Sequence, residues 1–327
     1  MPANLTPQYL SAEEKYRKAV TPEEKLEALN EMMATIPKHK GTEKLRAEIK
    51  QKISKFKKES QSQKKSKGSS YNPGVIEKTG AGQVAIIGPP NTGKSSLVAK
   101  TTNAHVHVTD FPFGTVMPTA GMMTFEDIQI QLIDTPPLFS QFHESYLLDL
   151  INRSDLLLLM LDPTDQSFDE LNFILDFLAD HKIRLHKQNE DKYDGNFIYK
   201  NAIAFINKKE LPEFDDFLDL YNEILADMVD IFSISIKDDF NQHLFGSILF
   251  NKLNIIRVYS KEPGKKPDLN EPFVLKKGST VQELAEKIHK DLIHFKYAKL
   301  WGHGKFDGQQ INRDYQLQDK DIIEIHI

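Results

Sequence analysis

A lysine closing a glycine-bounded loop offers the plainest chemistry in this chain. Gly88-Pro89-Pro90-Asn91-Thr92-Gly93-Lys94-Ser95 fits the pattern G-x-x-x-x-G-K-[ST]. The apolar run Val84-Ala85-Ile86-Ile87 precedes it, and the helix-forming stretch Ser96-Leu97-Val98-Ala99-Lys100 follows. Between a strand and a helix, such a loop turns successive backbone N–H groups inward on phosphate oxygens, and the helix N-terminus adds partial positive charge. Lys94 then reaches the β- and γ-phosphates, and the Ser95 hydroxyl is offered to Mg2+. Gly88, Pro89, Pro90, Asn91, Thr92, Gly93, Lys94, Ser95 and Ser96 are the expected contacts of a nucleoside di- or triphosphate.

Further polar groups follow in a set order, most of them at the ends of apolar runs. Asp110-Phe111-Pro112-Phe113-Gly114-Thr115 presents Thr115 as a hydroxyl for Mg2+ and the γ-phosphate. Asp134 ends the run Ile130–Ile133 and is placed to hold a Mg2+-bound water. Lys94, Thr115 and Asp134 are therefore the candidate catalytic groups, and Ser95, Thr115 and Asp134 the candidate Mg2+ ligands. Asn207-Lys208-Lys209-Glu210 and Ser235-Ile236-Lys237 end two later runs.

Positioning these groups requires a strand under each loop. Val84–Ile87, Ile128–Ile133, Leu156–Leu161, Ala202–Ile206 and Ile231–Ser235 read as strands. Helical runs over 141–152, 168–179, 214–228 and 242–253 alternate with them. That alternation predicts an α/β domain over 81–253, a mostly parallel sheet with helices on both faces and ligands at the strands' carboxyl ends. Residues 254–327 change character: strand-like Ile255–Tyr259, a second strand near Phe273–Leu275, a helix from Thr280 to about Ile293, then Tyr297–Trp301 and Asp321–Ile327. This β-β-α-β-β order predicts a separate small α+β domain with one sheet face on its helix and one open. Residues 1–60 read as helices, with capping boxes at Ser11 and Thr21 and an apolar stripe Leu45, Ile49, Ile53, Phe56. Residues 61–80 are a polar, basic linker.

With 39% apolar residues, the 327-residue chain can bury a core. It has no cysteine, which excludes disulfides and thiolate metal sites and fits a reducing cytoplasm. The eleven histidines show no metal-ligand spacing, and no apolar run approaches a membrane span. Net charge is −5, yet residues 1–70 carry +7, 71–253 carry −14 and 254–327 carry +2. The ends, not the middle, are thus expected to meet polyanions.

Phe111-Pro112-Phe113-Gly114-Thr115 and the stretch Ile288-His289-Lys290-Asp291-Leu292-Ile293-His294-Phe295-Lys296-Tyr297-Ala298-Lys299-Leu300-Trp301-Gly302 resemble the Obg-related GTPases. Within them the likeness is greatest to the developmentally regulated GTP-binding proteins, which end in a TGS domain, and it covers about residues 30–327. The resemblance implies a helical N-terminal segment, a P-loop GTPase domain and a β-grasp, ubiquitin-like TGS domain. It implies slow GTP hydrolysis to GDP and phosphate, and a ribosome or RNA setting. An extra domain that larger eukaryotic relatives insert between the Leu156 and Ala202 strands is expected to be absent. GTP, GDP and Mg2+ are the expected cofactors; in related GTPases an asparagine at the Asn91 position helps hold K+, so Asn91 is either a K+ ligand or a simple turn asparagine.

Three positions depart from the family pattern. Pro137 stands where a glycine N–H would bond the γ-phosphate, and proline has no N–H. Leu138 stands where many GTPases place a water-orienting glutamine. Glu210 replaces the aspartate of N-K-x-D. By the resemblance Asn207 would bond a guanine base, Lys208 would lie along it, and Ser235 and the Ile236 backbone would close the pocket near O6. The Glu210 carboxylate, one methylene further out, would accept from guanine N1–H and N2–H2, neither of which adenine offers. The leading expectation is a cytoplasmic regulatory GTPase that meets RNA or a ribosome through its N-terminal segment and TGS domain, with a protein regulator as a further partner and no membrane. A nucleotide-gated binding module with negligible hydrolysis, and an adenine-nucleotide-binding relative, are the alternatives.

Overall fold

Strands that are apolar at every position must bury both of their faces, and the central region of this chain does so. In the computed structural model the described residues are Met32, 76–103, 118–136, 144–187 and 192–326. The expected N-terminal helices and most of the linker, together with Thr115, Pro137 and Leu138, lie outside them. Pro73–Ile327 forms one compact unit. Its first part runs β1 (Gln83–Ile87), α1 (Lys94–Thr101), β2 (Thr119–Phe125), β3 (Ile128–Asp134), α2 (Glu144–Arg153), β4 (Leu156–Leu161) and α3 (Asp165–Asp180). It continues through β5 (Ile183–His186), β6 (Lys192–Tyr193), β7 (Ile198–Ile206), α4 (Phe214–Leu225), β8 (Asp230–Ser233) and α5 (Gln242–Lys252). The second part comprises β9 (Ile255–Ser260), β10 (Phe273–Lys276), α6 (Val281–Ile288), β11 (Tyr297–Trp301), β12 (Gln309–Ile311) and β13 (Asp321–His326).

The first sheet is ordered β2-β3-β1-β4-β7, with β8 beside the second half of β7 and β5 and β6 on its first half. Every pairing is parallel except β2 on β3 and the short β6 on β7. On β4, Leu156, Leu158 and Met160 enter one core, and Leu157, Leu159 and Leu161 enter the other. The first core is closed by Leu97 and Val98 of α1 and by Phe245 and Leu249 of α5. The other is closed by Leu147 and Ile151 of α2, Leu171 and Ile174 of α3, and Tyr221 of α4. This is the P-loop GTPase fold, helices on both faces.

The second sheet, β10-β9-β13-β11-β12, is a β-grasp: β9 and β13 are parallel neighbours and α6 covers one face. Thr280 caps α6 through a reciprocal capping box with Glu283, the arrangement its sequence favours. Three expectations for this domain need correction. The helix expected from Thr280 to about Ile293 stops at Ile288, because His289 is extended, and Lys290–His294 forms a separate 3-10 turn. A further strand, β12, pairs with β11. The sheet face away from α6 is not fully open: Arg257 and Tyr259 project from it and bond Glu126 and Asp127 of the GTPase domain.

Candidate nucleotide site

The expected phosphate loop leaves the carboxyl end of β1 and enters α1 through Gly93, a left-handed residue at φ 103°. No side chain caps that helix, so its first N–H groups face the loop. Glycine is required at both loop ends. A Cβ on Gly88, at φ 149°, would lie 2.1 Å from the Met160 carbonyl oxygen of the neighbouring strand. One on Gly93 would lie 2.5 Å from Asn207 Nδ2. Asn91 is exposed at the loop tip with φ 61°, a conformation asparagine tolerates better than most residues. Pro89 and Pro90 complete the turn, Thr92 Oγ1 donates to the Pro89 carbonyl at 3.0 Å, and Ser96 lies in the first turn of α1.

Lys94 is buried and bends back on the loop, donating to the carbonyl oxygens of Gly88 (2.9 Å) and Pro89 (2.5 Å). Burial pushes its ammonium down to about 8, against the pull of Asp134, Glu170 and Asp162. A polyphosphate would supply the opposite charge that this ammonium lacks. Beside it, Ser95 Oγ donates to Asp134 Oδ2 at 2.7 Å. Asp134 is fully buried, and its neighbour Thr135 is fixed by a 2.7 Å bond from Oγ1 to the Ile86 carbonyl. A hydroxyl and a carboxylate meeting at the head of a charged loop form the hard oxygen donor set that suits Mg2+. The residues present therefore fit that ion.

The base-reading loops converge at the other end of the site. Asn207, at the end of β7, donates through Nδ2 to the Thr92 carbonyl at 2.9 Å and accepts through Oδ1 from Ile236 N at 3.1 Å. One amide thus ties the phosphate loop to the Ser235–Ile236 loop. Lys100 of α1 donates to the Ile236 carbonyl, pulling that loop onto the same helix. Lys208, at φ 62°, pairs with Asp162 at the end of β4. Glu210 is exposed. Partial burial works against its charge, but the Ser235 hydroxyl, Lys237 and Lys208 hold its carboxyl below the usual value.

Ser95 and Asp134 are thus brought together, as are Asn207, Glu210, Ser235 and Ile236, and Lys94 lies on the carbonyls of the phosphate loop. Reading the sequence missed Asp162, Lys100 and Glu170. Asp162 carried a signal, since an acid directly follows the apolar run Leu156–Leu161 where strand ends carry ligands. Lys100 and Glu170 sit among ordinary helix residues and had none. Glu170 Oε2 is buried without a hydrogen bond, and burial raises its carboxyl despite a bond from Gln166 and the Lys94 charge.

The 50S ribosome-binding GTPase family model matches residues 83–189, and the TGS domain model matches 256–327. An uncharacterized GTP-binding protein of Methanocaldococcus jannaschii is 26% identical, over 93% of both chains. Developmentally-regulated G-protein 2 of Arabidopsis thaliana is 27% identical over 92% of this chain and 90% of its own. Over more than nine-tenths of its length the chain is similar to the developmentally regulated GTP-binding proteins, and it carries a GTPase domain and a TGS domain. Its alignment to the archaeal relative takes 365 positions against 327 residues here, so that family member carries residues this chain lacks. The solved structure of Era with MgGDPNP and a 16S ribosomal RNA segment overlaps loosely, at TM-score 0.40 and 18% identity over 67% of this chain and 70% of that one. As expected for a family of GTPases, the chain carries a GTP-binding domain with the fold described above. No described helix is long and apolar enough to cross a membrane.

Proposed function

We propose that this protein is a cytoplasmic, guanine-selective, slow GTPase that regulates translation or ribosome assembly by contact with RNA or the ribosome. The observation that supports the nucleotide reading best is Asn207, whose one amide joins the phosphate loop to the Ser235–Ile236 loop. A site so tied would register base and phosphate together. Lys94 would leave the loop carbonyls for the β- and γ-phosphates. Ser95 and Asp134, with Thr115, would hold Mg2+, which when bound supplies positive charge to the phosphate oxygens. The fixed loop N–H groups would hold the phosphates for in-line attack by water, catalysis by positioning and electrostatics. Pro137 and Leu138 remove two of the usual aids, which supports slow turnover.

The same two residues support a second reading, a nucleotide-gated binding module with negligible hydrolysis. Guanine selectivity rests on Glu210, held charged beside Ser235 and Lys237. Its extra methylene keeps an adenine-nucleotide relative as a named outcome of the test. Asn91, exposed at the loop tip, is the proposed K+ ligand.

For RNA contact, the TGS sheet offers Tyr297, Lys299 and Trp301 on the face away from its core. Tyr297 stacks on His326 with centroids 4.5 Å apart, and Lys261 lies 4.4 Å over the Trp301 ring. Lys261 and Lys299 both pair with Glu324, so stacking would contribute more than bare charge. The basic N-terminal segment would add the salt-dependent part.

Direct titration with GDP, a non-hydrolysable GTP analogue and an ATP analogue, in Mg2+ with KCl or NaCl, tests this reading. Guanine selectivity with a preference for the triphosphate is the expected result, with turnover faster in KCl. Equal GDP and triphosphate affinity without turnover would favour the binding module, and a preference for ATP would overturn the base assignment. RNA association that ignores salt would remove the electrostatic part of the RNA proposal.

A further inference from the structure

Two strands, β2 and β3, run from Asp134 at the nucleotide site to a far end that is gripped by the TGS domain. β2 and β3 pair from Thr119–Asp134 at the nucleotide end to Phe125–Ile128 at the other, leaving Glu126 and Asp127 as the turn. The ribbon is roughly 20 Å long at the usual rise of a strand. At its inner end β3 delivers Asp134 to Ser95, and the chain on either side leads to Thr115 and to Pro137. Among the described residues β2 is the edge strand of its sheet and pairs with β3 alone.

At the outer end stands Arg257 of β9, its side chain 4% exposed. Nη1 donates to Glu126 Oε2 at 2.5 Å and to Asp127 Oδ1 at 2.8 Å. Nη2 and Nε donate to the two oxygens of Asp319 at 2.6 and 3.0 Å. The guanidinium lies 4.8 Å over the Phe250 ring, which in turn packs beside Phe125 of β2. The Tyr259 hydroxyl donates to Asp127, and Lys320 lies 3.2 Å from Glu126. Burial opposes the charge on Arg257, and the three carboxylates outweigh it and hold the guanidinium cationic. One arginine therefore serves one carboxylate of its own domain and two of the hairpin.

We propose that Arg257, with Tyr259, is a positioning residue for the nucleotide site, acting through the β2–β3 hairpin on Asp134. The proposal rests on the nucleotide reading above. A ribbon held at both ends cannot shift at one without cost at the other, so a change at Asp134 that depends on the γ-phosphate must load or relax the Arg257 clasp. By linkage, the clasp must then alter the relative affinity for the two nucleotide states. Tyr259 neighbours Ile322, and Ile322 neighbours Trp301, so the clasp adjoins the half-buried aromatic strip of the same sheet. A ligand on that strip would be read at the nucleotide site by this route.

The test uses the full chain. Glu126→Gln with Asp127→Asn removes the hairpin's charges and leaves Arg257 its own Asp319. Tyr259→Phe removes one hydroxyl and should fold in any case. Dissociation constants for GDP and a non-hydrolysable GTP analogue are measured in Mg2+. The expected result is a change of about threefold or more in their ratio for the double variant, and a smaller change of the same sign for Tyr259→Phe. Both affinities changing by one common factor, or neither changing, would overturn the coupling while leaving the nucleotide reading intact. A wild-type chain that binds no guanine nucleotide would remove both. Hydrogen exchange over residues 119–134 is a second measure: protection that differs between the two nucleotide states is expected, and identical protection would count against the proposal.

Discussion

The two sheets of this protein both bury charge, and they do so to opposite ends. In the GTPase domain Lys94 is buried among the carbonyls of its own loop, its ammonium pushed down to about 8. In the TGS domain Arg257 is buried among three carboxylates and held firmly charged. Among the described residues the first cation has no carboxylate within hydrogen-bonding reach, and a phosphate would complete it. The second is already complete. A buried charge left short of a partner marks a place built for a ligand, whereas a buried charge fully paired marks a joint between parts.

The sharpest way to break this contrast is to remove each cation in turn. Lys94→Ala should weaken guanine-nucleotide binding about a hundredfold or more, the loss of a charge-assisted contact of about 3 kcal/mol. Its thermal midpoint should stay level or rise, because the folded state no longer holds a poorly matched ammonium. Arg257→Gln should do the reverse. Unfolding should become easier by about 2 kcal/mol, since the buried Asp319–Arg257–Asp127 arrangement is broken while Glu126 stays partly in water. Its nucleotide affinities should fall far less than those of Lys94→Ala. Calorimetry for stability and titration for binding separate the two. If Lys94→Ala unfolds early and still binds tightly, the contrast is wrong.

Glu210 sharpens the comparison inside the GTPase domain, since its exposed carboxylate is held charged beside Ser235, Lys237 and Lys208. Glu210→Ala should cost GDP binding roughly tenfold, about 1.4 kcal/mol, and erase most of the preference over ADP. Glu210→Asp should bind GDP at least as tightly as the wild type. A GDP-to-ADP ratio unmoved by Glu210→Ala would remove this residue from the base pocket.

Much of this site was legible because its chemistry is local in sequence. Gly88 to Ser95 is contiguous, and the strands that end in Asp134 and Asn207 are apolar enough to be found by pattern. The bounds of β4 and β11 agree with the expected ones to the residue. β2 was missed because Thr119-Ala120-Gly121-Met122-Met123 is weakly apolar. It is a strand because β3 pairs with it and because Gly121 lets Thr102 approach within contact of its backbone. The Arg257 clasp could not be read at all. Its partners lie 62, 130 and 131 positions away, and nothing in Glu126-Asp127 distinguishes it from a solvated turn. Sequence shows where a chain places its own loops, but not which distant carboxylate a buried arginine will meet.

The smallest effect expected is one of pH, and it follows from Lys94 alone. In the nucleotide-free protein its ammonium loses a proton near pH 8, below the ordinary lysine value, because burial disfavours the charge. A bound polyphosphate favours the charged form and raises that value, so binding takes up a proton whenever the pH lies above about 8. Affinity should therefore be flat from pH 6.5 to 7.5 and fall as the pH rises through 8. It should be about fourfold lower at pH 8.5 than at pH 7. Titration of GDP in buffers of different ionisation enthalpy at pH 8.5 would show the proton uptake directly. The same series on Arg257→Gln should keep the fall, and on Lys94→Ala should lose it. A fall that survives Lys94→Ala would belong to another group, and the ammonium left short of a counter-charge would no longer mark the phosphate end of the site.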